Sequence, residues 1–229
     1  MAHTAKRTTN GFELVGNLMK IADNPVDHEL TPALALLKGD MVVKTAGLVA
    51  KAAANAANVL GVMAESITGA AGATTKGKVY TNPFNIYRCS FTDHLDSTAT
   101  GGTTTTLIDT ALATSNNDVW NGALLYIYEG PGAGCIRTVK DYVGSTDTLT
   151  VEEPFTAAPT TASKYILLGS GTAADGINVG SVGVDLKDEN TIDANATLAS
   201  EAGPLVVLAI DAANLTMDVM VRKHLLNGI

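Results

Sequence analysis

Gly39, Gly47 and Gly61 divide the stretch KGDMVVKTAGLVAKAAANAANVLGVMAE (38–65) into pieces shorter than a typical helix. AKAAANAA at its centre has high helix propensity, but propensity is a weak determinant that packing overrides. A helix from Leu48 to Val59 would start directly after Gly47 and present only Val49, Ala53, Ala56 and Val59 as its apolar face. The flanks fit strands better. MVV and LVA lie on either side of KTAG as the arms of a hairpin would, and KGD and TAG are turn signals. The stretch is therefore expected to be strand–loop–strand, with AANAAN as the connecting loop.

The same punctuation continues along the chain. LVGNLMKIA allows a short helix or an irregular strand, and DNPVDHEL reads as a turn-rich loop around Pro25. TGAAGATTKG is a loop, while KVYTN and NIYRCSF alternate as strands do. The composition changes near residue 97, where DSTATGGTTTTLIDTALATSNNDVWNG is rich in Thr, Ser, Asn and Gly and reads as a boundary loop. Beyond it, ALLYIYEG and CIRTVKDYV flank GPGAG as a hairpin, TLTVEEPF follows the turn STD, and KYILL closes a compact set of strands. GSGTAADG (169–176) reads as a second linker. INVGSVGVDL, ATLAS, PLVVLAID and LTMDVMVRKHLL are strands again. The expected fold is all-β: a short-stranded β-sandwich or barrel made from 1–97 plus 171–229, with a small β-barrel module inserted at 98–170. Tandem units are the alternative.

Charge excludes one class of partner. Residues 1–97 carry nine Lys/Arg and eight Asp/Glu, residues 98–170 three and seven, and residues 171–229 three and eight, giving −8 for the chain. No segment offers a basic face for phosphates, so nucleic acid is not an expected partner. No run approaches the ~18 apolar residues of a membrane span, and the start of the chain lacks the apolar core of a signal peptide. Cys89 and Cys135 form no CxxC pair and are expected to be free, buried thiols of a reducing compartment. NAT (195–197) and NLT (214–216) are expected to be chance matches to the glycosylation pattern.

Each candidate for chemistry has a plainer explanation. EGPGAG (129–134) lacks the Lys-Ser/Thr ending of a phosphate loop, so its glycines are expected to serve a tight turn. TDHLDS groups Asp93, His94, Asp96 and Ser97, but neighbours in sequence rarely converge on one point, and a solvated loop is expected. DLKDENTID supplies Asp185, Asp188, Glu189 and Asp193 without EF-hand spacing, and a charged solvent loop is expected. Arg222, Lys223 and His224 near the end could face an acidic partner or solvent. No Ser lies in a G-x-S-x-G elbow. An all-β hydrolase would require a deep pocket that joins His94 to convergent carboxylates. No cofactor and no metal is expected.

Three stretches together resemble structural proteins of tailed-bacteriophage heads, and most nearly the decoration, or capsid cement, proteins. LLKGDMVVKTAGLVAKAAANAANVLGVMAE is similar to that family's "GD-V" strand, variable turn and closing "GV" strand. GPGAGCIRTVKDYVGSTDTLTVEEPFTAAPTTASKYIL resembles a small β-module of phage virion proteins, and NGFELVGN resembles the start of other phage head proteins. The resemblance implies a β-tulip-like base and no catalytic residues. It also implies a homo-oligomer, with a trimer favoured, seated on the major capsid protein. The chain would be made in the bacterial cytoplasm and sit on the outer surface of the head. His3, Lys6 and Arg7, in a basic arm ahead of an acidic chain, are the expected capsid contacts. A minor capsid, head-fibre or tail protein is the alternative within the virion.

Overall fold

A computed structural model describes residues 11–20, 22–112, 114–172, 176–195 and 203–222. In chain order its first strands are β1 (Glu13–Asn17), β2 (Val26–Glu29), β3 (Ala35–Leu36), β4 (Met41–Thr45), β5 (Leu48–Lys51), β6 (Gly61–Met63), β7 (Ile67–Thr68), β8 (Lys76–Tyr80) and β9 (Asn85–Thr92). There follow β10 (Leu95–Thr98), β11 (Gly101–Gly102), β12 (Thr106–Ile108), a 3-10 turn (Thr110–Leu112), β13 (Leu124–Glu129), β14 (Ile136–Val143), β15 (Thr148–Val151) and β16 (Lys164–Leu167). The last are β17 (Val182–Val184), β18 (Leu186–Asp188), β19 (Thr191–Asp193), β20 (Leu205–Asp211) and β21 (Thr216–Val221). The fold is all-β, with a nearly closed barrel-like sheet, a curled half-barrel sheet and two smaller sheets.

One seven-stranded sheet runs β10-β16-β13-β14-β15-β12-β11. The other runs β17-β20-β21-β9-β19-β18, with β1 paired to β9. In both, the two edge strands are consecutive in the chain, so a single bent segment feeds opposite edges and curls the sheet. A five-stranded sheet, β2-β8-β6-β4-β5, has its ends joined by a bridge between Leu30 and Val49. β3 and β7 form a separate pair.

Local chemistry explains these elements. Between β4 and β5, Ala46 (φ 49°) and Gly47 (φ 87°) are both left-handed, as a two-residue hairpin turn requires. The Ala-rich segment after β5 forms no helix. Asn55 takes φ 57° and its N–H donates to the Leu186 carbonyl at 3.1 Å, so the loop is docked onto β18. β9 alternates strictly, with Asn85, Tyr87, Cys89 and Phe91 pointing inward. Burial of an aromatic side chain such as Tyr87 or Phe91 contributes about 1.5–3 kcal/mol.

Three buried clusters match the three larger sheets. Leu30, Val42, Val49, Leu60, Met63 and Val79 fill the five-stranded sheet. Leu107, Leu125, Ile127, Tyr142, Leu149 and Tyr165 lie within the sheet of β10–β16. Tyr87, Phe91, Ile192, Leu205, Val207 and Met217 lie under the other, where Leu124, Ile166 and Leu168 join them from the middle of the chain.

Several loop expectations are corrected. DNPVDHEL contains β2, which pairs with β8 because its backbone lies against that strand. The Thr-rich stretch after residue 97 contributes β11 and β12, and its sheet begins earlier, at Leu95. β-branched Thr suits a half-exposed strand, so polarity alone does not mark a loop. DLKDENTID is a hairpin of β18 and β19 with Leu186 and Ile192 fully buried.

Candidate interaction surface

β1 is held at both ends, and among the described residues no strand lies along its outer side. The Phe12 N–H donates to the Gly39 carbonyl at 2.8 Å, and Phe12 is buried. Against β9 the strand bulges at Val15, between the pairs Leu14–Tyr87 and Gly16–Ile86. Asn17 then organises the exit: its Oδ1 accepts from the Met19 N–H at 2.8 Å and its Nδ2 donates to Asn85 Oδ1 at 2.8 Å. The Leu18 N–H donates to the Phe84 carbonyl at 3.0 Å.

This geometry turns apolar side chains outward. Val15 is 43% exposed, Leu18 52%, Met19 59% and Phe84 46%. Among the described residues no strand pairs with the outer edge of β1. A groove of about 390 Å³ runs beside it, with Glu13 and Leu14 on one wall and Lys38, Val62, Met63 and Tyr80 on the other. Unpaired backbone beside clustered apolar side chains is the arrangement that accepts an added strand or another protein surface.

The residues singled out in the sequence do not converge. His3, Lys6, Arg7, Lys223 and His224 lie outside the described residues. TDHLDS is not one solvated loop: it spans the end of β9, a two-residue turn at Asp93 and His94, and the start of β10. Asp93 pairs with Lys187, Asp96 accepts from the Tyr128 hydroxyl at 2.7 Å, and the Ser97 hydroxyl donates to Asp109. His94 packs edge-on against Phe91, with ring centroids 5.7 Å apart. In the 185–193 hairpin, Asp188 Oδ1 accepts from the Asn190 N–H and Asp193 Oδ1 from the Asn195 N–H. Glu189 pairs with Lys51 at 2.7 Å, and Lys51 also reaches buried Asp40 at 3.4 Å. The hydrogen bond to Glu189, reinforced by Asp40, raises the Lys51 pKa. That acidic segment therefore joins β18–β19 to the five-stranded sheet. Among the described residues no group of three or more His, Cys, Asp or Glu is placed to hold a metal ion.

EGPGAG is the β13–β14 turn. Gly130 has φ 79°, and a Cβ there would lie 2.2 Å from the Ala162 carbonyl oxygen. Both cysteines are free and buried: the Cys89 thiol donates to the Asn190 carbonyl, and Cys135 lies 3.4 Å from the Thr156 hydroxyl. Arg222 donates its N–H to the Pro204 carbonyl.

LVGNLMKIA, open in the sequence between a short helix and an irregular strand, is a bulged strand over Leu14–Asn17, and what the sequence did not show is its exposed apolar edge. Gly16 and Asn17, which interrupt its apolar run, were the available signal. Comparison with family models, curated proteins and solved structures finds no match to this chain.

Proposed function

We propose that this chain is a phage virion structural protein that decorates the head and ties neighbouring major-capsid subunits together. The observation that carries the reading is the cluster of exposed apolar side chains Val15, Leu18, Met19 and Phe84 at an edge of β1 that no described strand pairs, with a groove beside it. An apolar cluster at a free strand edge is a liability for an isolated chain and an asset for one that assembles. The resemblance of the 36–65 and 130–167 stretches to phage head proteins supplies the partner class. The basic arm with His3, Lys6 and Arg7 adds electrostatic steering to an acidic chain. A homo-oligomer, with three copies favoured, touches the lattice at several points, and multivalency makes weak single contacts sufficient. The role involves no turnover and no cofactor.

Heads prepared without this chain provide the test. Adding the protein should saturate a fixed number of sites and raise the temperature at which the shells rupture. Removing residues 1–10 should weaken occupancy. Rupture temperatures unchanged by saturating protein would reject the cementing role, and undiminished binding would remove the arm from it.

A further inference from the structure

β1 and β21 both run antiparallel to β9, so they leave their sheet at the same end, where Phe84 leads into β9. Continuing the β9–β21 register beyond the pair Ile86–Met220 sets Arg222 across from Phe84. The register of β20 agrees: Leu205 pairs with Val221, and the Arg222 N–H donates to the Pro204 carbonyl at 2.7 Å. On its other side, the Phe84 carbonyl accepts from the Leu18 N–H at 3.0 Å. Pro204, Arg222, Phe84 and Leu18 therefore form one row across the end of the sheet. Arg222 stands two strand spacings, about 10 Å, from Leu18.

The exposed side chains of Leu18, Met19 and Phe84 thus lie beside the point where the described chain passes into residues 223–229. Those residues read KHLLNGI, with apolar Leu225, Leu226 and Ile229 behind basic Lys223. A segment of that length reaches at most about 23–25 Å, more than twice the distance to Leu18. Charge fits as well: Asp23, hydrogen-bonded to Nδ2 of Asn85 next to Phe84, sets a carboxylate there that complements Lys223. Other segments are placed less well. Residues 1–10 join at Gly11, beyond the far end of β1. Residues 196–202 are tied at both Asn195 and Gly203, and Leu198 is their sole large apolar residue.

We infer that residues 223–229 dock on the Leu18, Met19 and Phe84 cluster of their own chain, with Leu225 and Leu226 seated on it. An apolar cluster at a strand edge invites association with other surfaces, and a covering segment tethered at Arg222 meets it at high effective concentration. The consequence rests on the proposed seating of this edge on the capsid: the segment competes with partners for the edge, and the lattice displaces it.

Met19 is the reporter. Oxidation of a thioether by hydrogen peroxide follows its exposure, and fully buried Met41 and Met217 serve as folding controls. Peptide mass spectrometry compares the full chain with one stopped after Arg222. Met19 should oxidise at least about threefold faster in the shortened chain, as cover for about two-thirds of the time requires. Leu225→Glu with Leu226→Glu in the full-length chain should give the same increase. Protected Met41 shows that the core stays folded; where the shortened chain loses that protection, the double substitution alone decides. Protection of Met19 should be equal at about 1 and about 100 µM protein, since an intramolecular contact does not depend on concentration. Equal Met19 rates with and without residues 223–229 overturn the inference. Protection lost on dilution overturns it too, because a second copy would then be the cover. The capsid reading fails separately, when neither chain raises the rupture temperature of shells, whatever the Met19 rates.

Discussion

Asp109 shows how this chain handles polarity inside a β-core. It is 1% exposed, yet its carboxylate accepts from the Tyr165 hydroxyl at 2.8 Å, from the Ser97 hydroxyl and from the Ala111 N–H at 2.8 Å. The group thus ties β10, β12 and β16 together where one seven-stranded sheet curls on itself. Burial, then the nearby Asp109 charge, raises the Tyr165 pKa well above its ordinary value, and burial with Asp147 carries Tyr142 to about 12. Hydrogen bonds to a charged group contribute about 1.5–3 kcal/mol, so Tyr165→Phe should lower unfolding stability by that amount in urea titration. An unchanged midpoint would contradict the network. His28, on β2, has a buried Nε2 without a hydrogen-bond partner. Burial, then Lys44, lowers its pKa below 6.5, against the opposing pull of Asp27. The unfolded chain therefore binds the proton more readily. The stabilisation is complete above pH 6.5 and is lost as pH falls through the lower folded value. Melting temperature measured from about pH 7 to 5 should fall more steeply in the native chain than in His28→Leu; parallel curves would refute this. Neither network was legible in the sequence. LIDT reads as an ordinary strand end, and a carboxylate's partners 12 and 56 residues away leave no local pattern.

Elements were far more legible, because turns are local chemistry. The β4–β5 and β13–β14 hairpins follow from Ala46-Gly47 and GPGAG, whose backbones need left-handed residues. Gly130→Ala should cost more than about 1 kcal/mol, from positive φ and from contact with the Ala162 carbonyl. Chemical denaturation reads this directly, and a neutral result would show that the turn relaxes. What failed at this scale was reading polarity as loop. β2, β11, β12, β18 and β19 are short and rich in Thr, Gly or acidic residues, and only their partners make them strands. β1 is the reverse case, a strand with apolar side chains and an edge that no described strand pairs. Leu18→Glu and Met19→Glu should change monomer stability by less than about 0.5 kcal/mol, as exposed positions do. The same variants should reduce self-association in analytical ultracentrifugation and occupancy on shells. Full assembly by the double variant would move the interface elsewhere.

For the whole molecule, the order of sheets is what the sequence could not supply in detail. β10–β16 pair only among themselves, whereas β9 pairs with β19 and β21 from the far end of the chain. Deleting 98–170 across a short Gly linker should leave a remainder that unfolds cooperatively. It should be less stable than the full chain, because Leu124, Ile166 and Leu168 pack into its core. Loss of all cooperativity would argue against an insertion. A chain of short strands, with one apolar strand edge that no described strand covers, fits the proposed place on a lattice. The most direct measurement is its position in an intact particle. Antibodies raised against the β10–β16 unit, carrying gold and imaged on whole virions by electron microscopy, should label the head at many regularly spaced sites. Label confined to the tail, or absent from purified particles that retain the major capsid protein, would contradict the account.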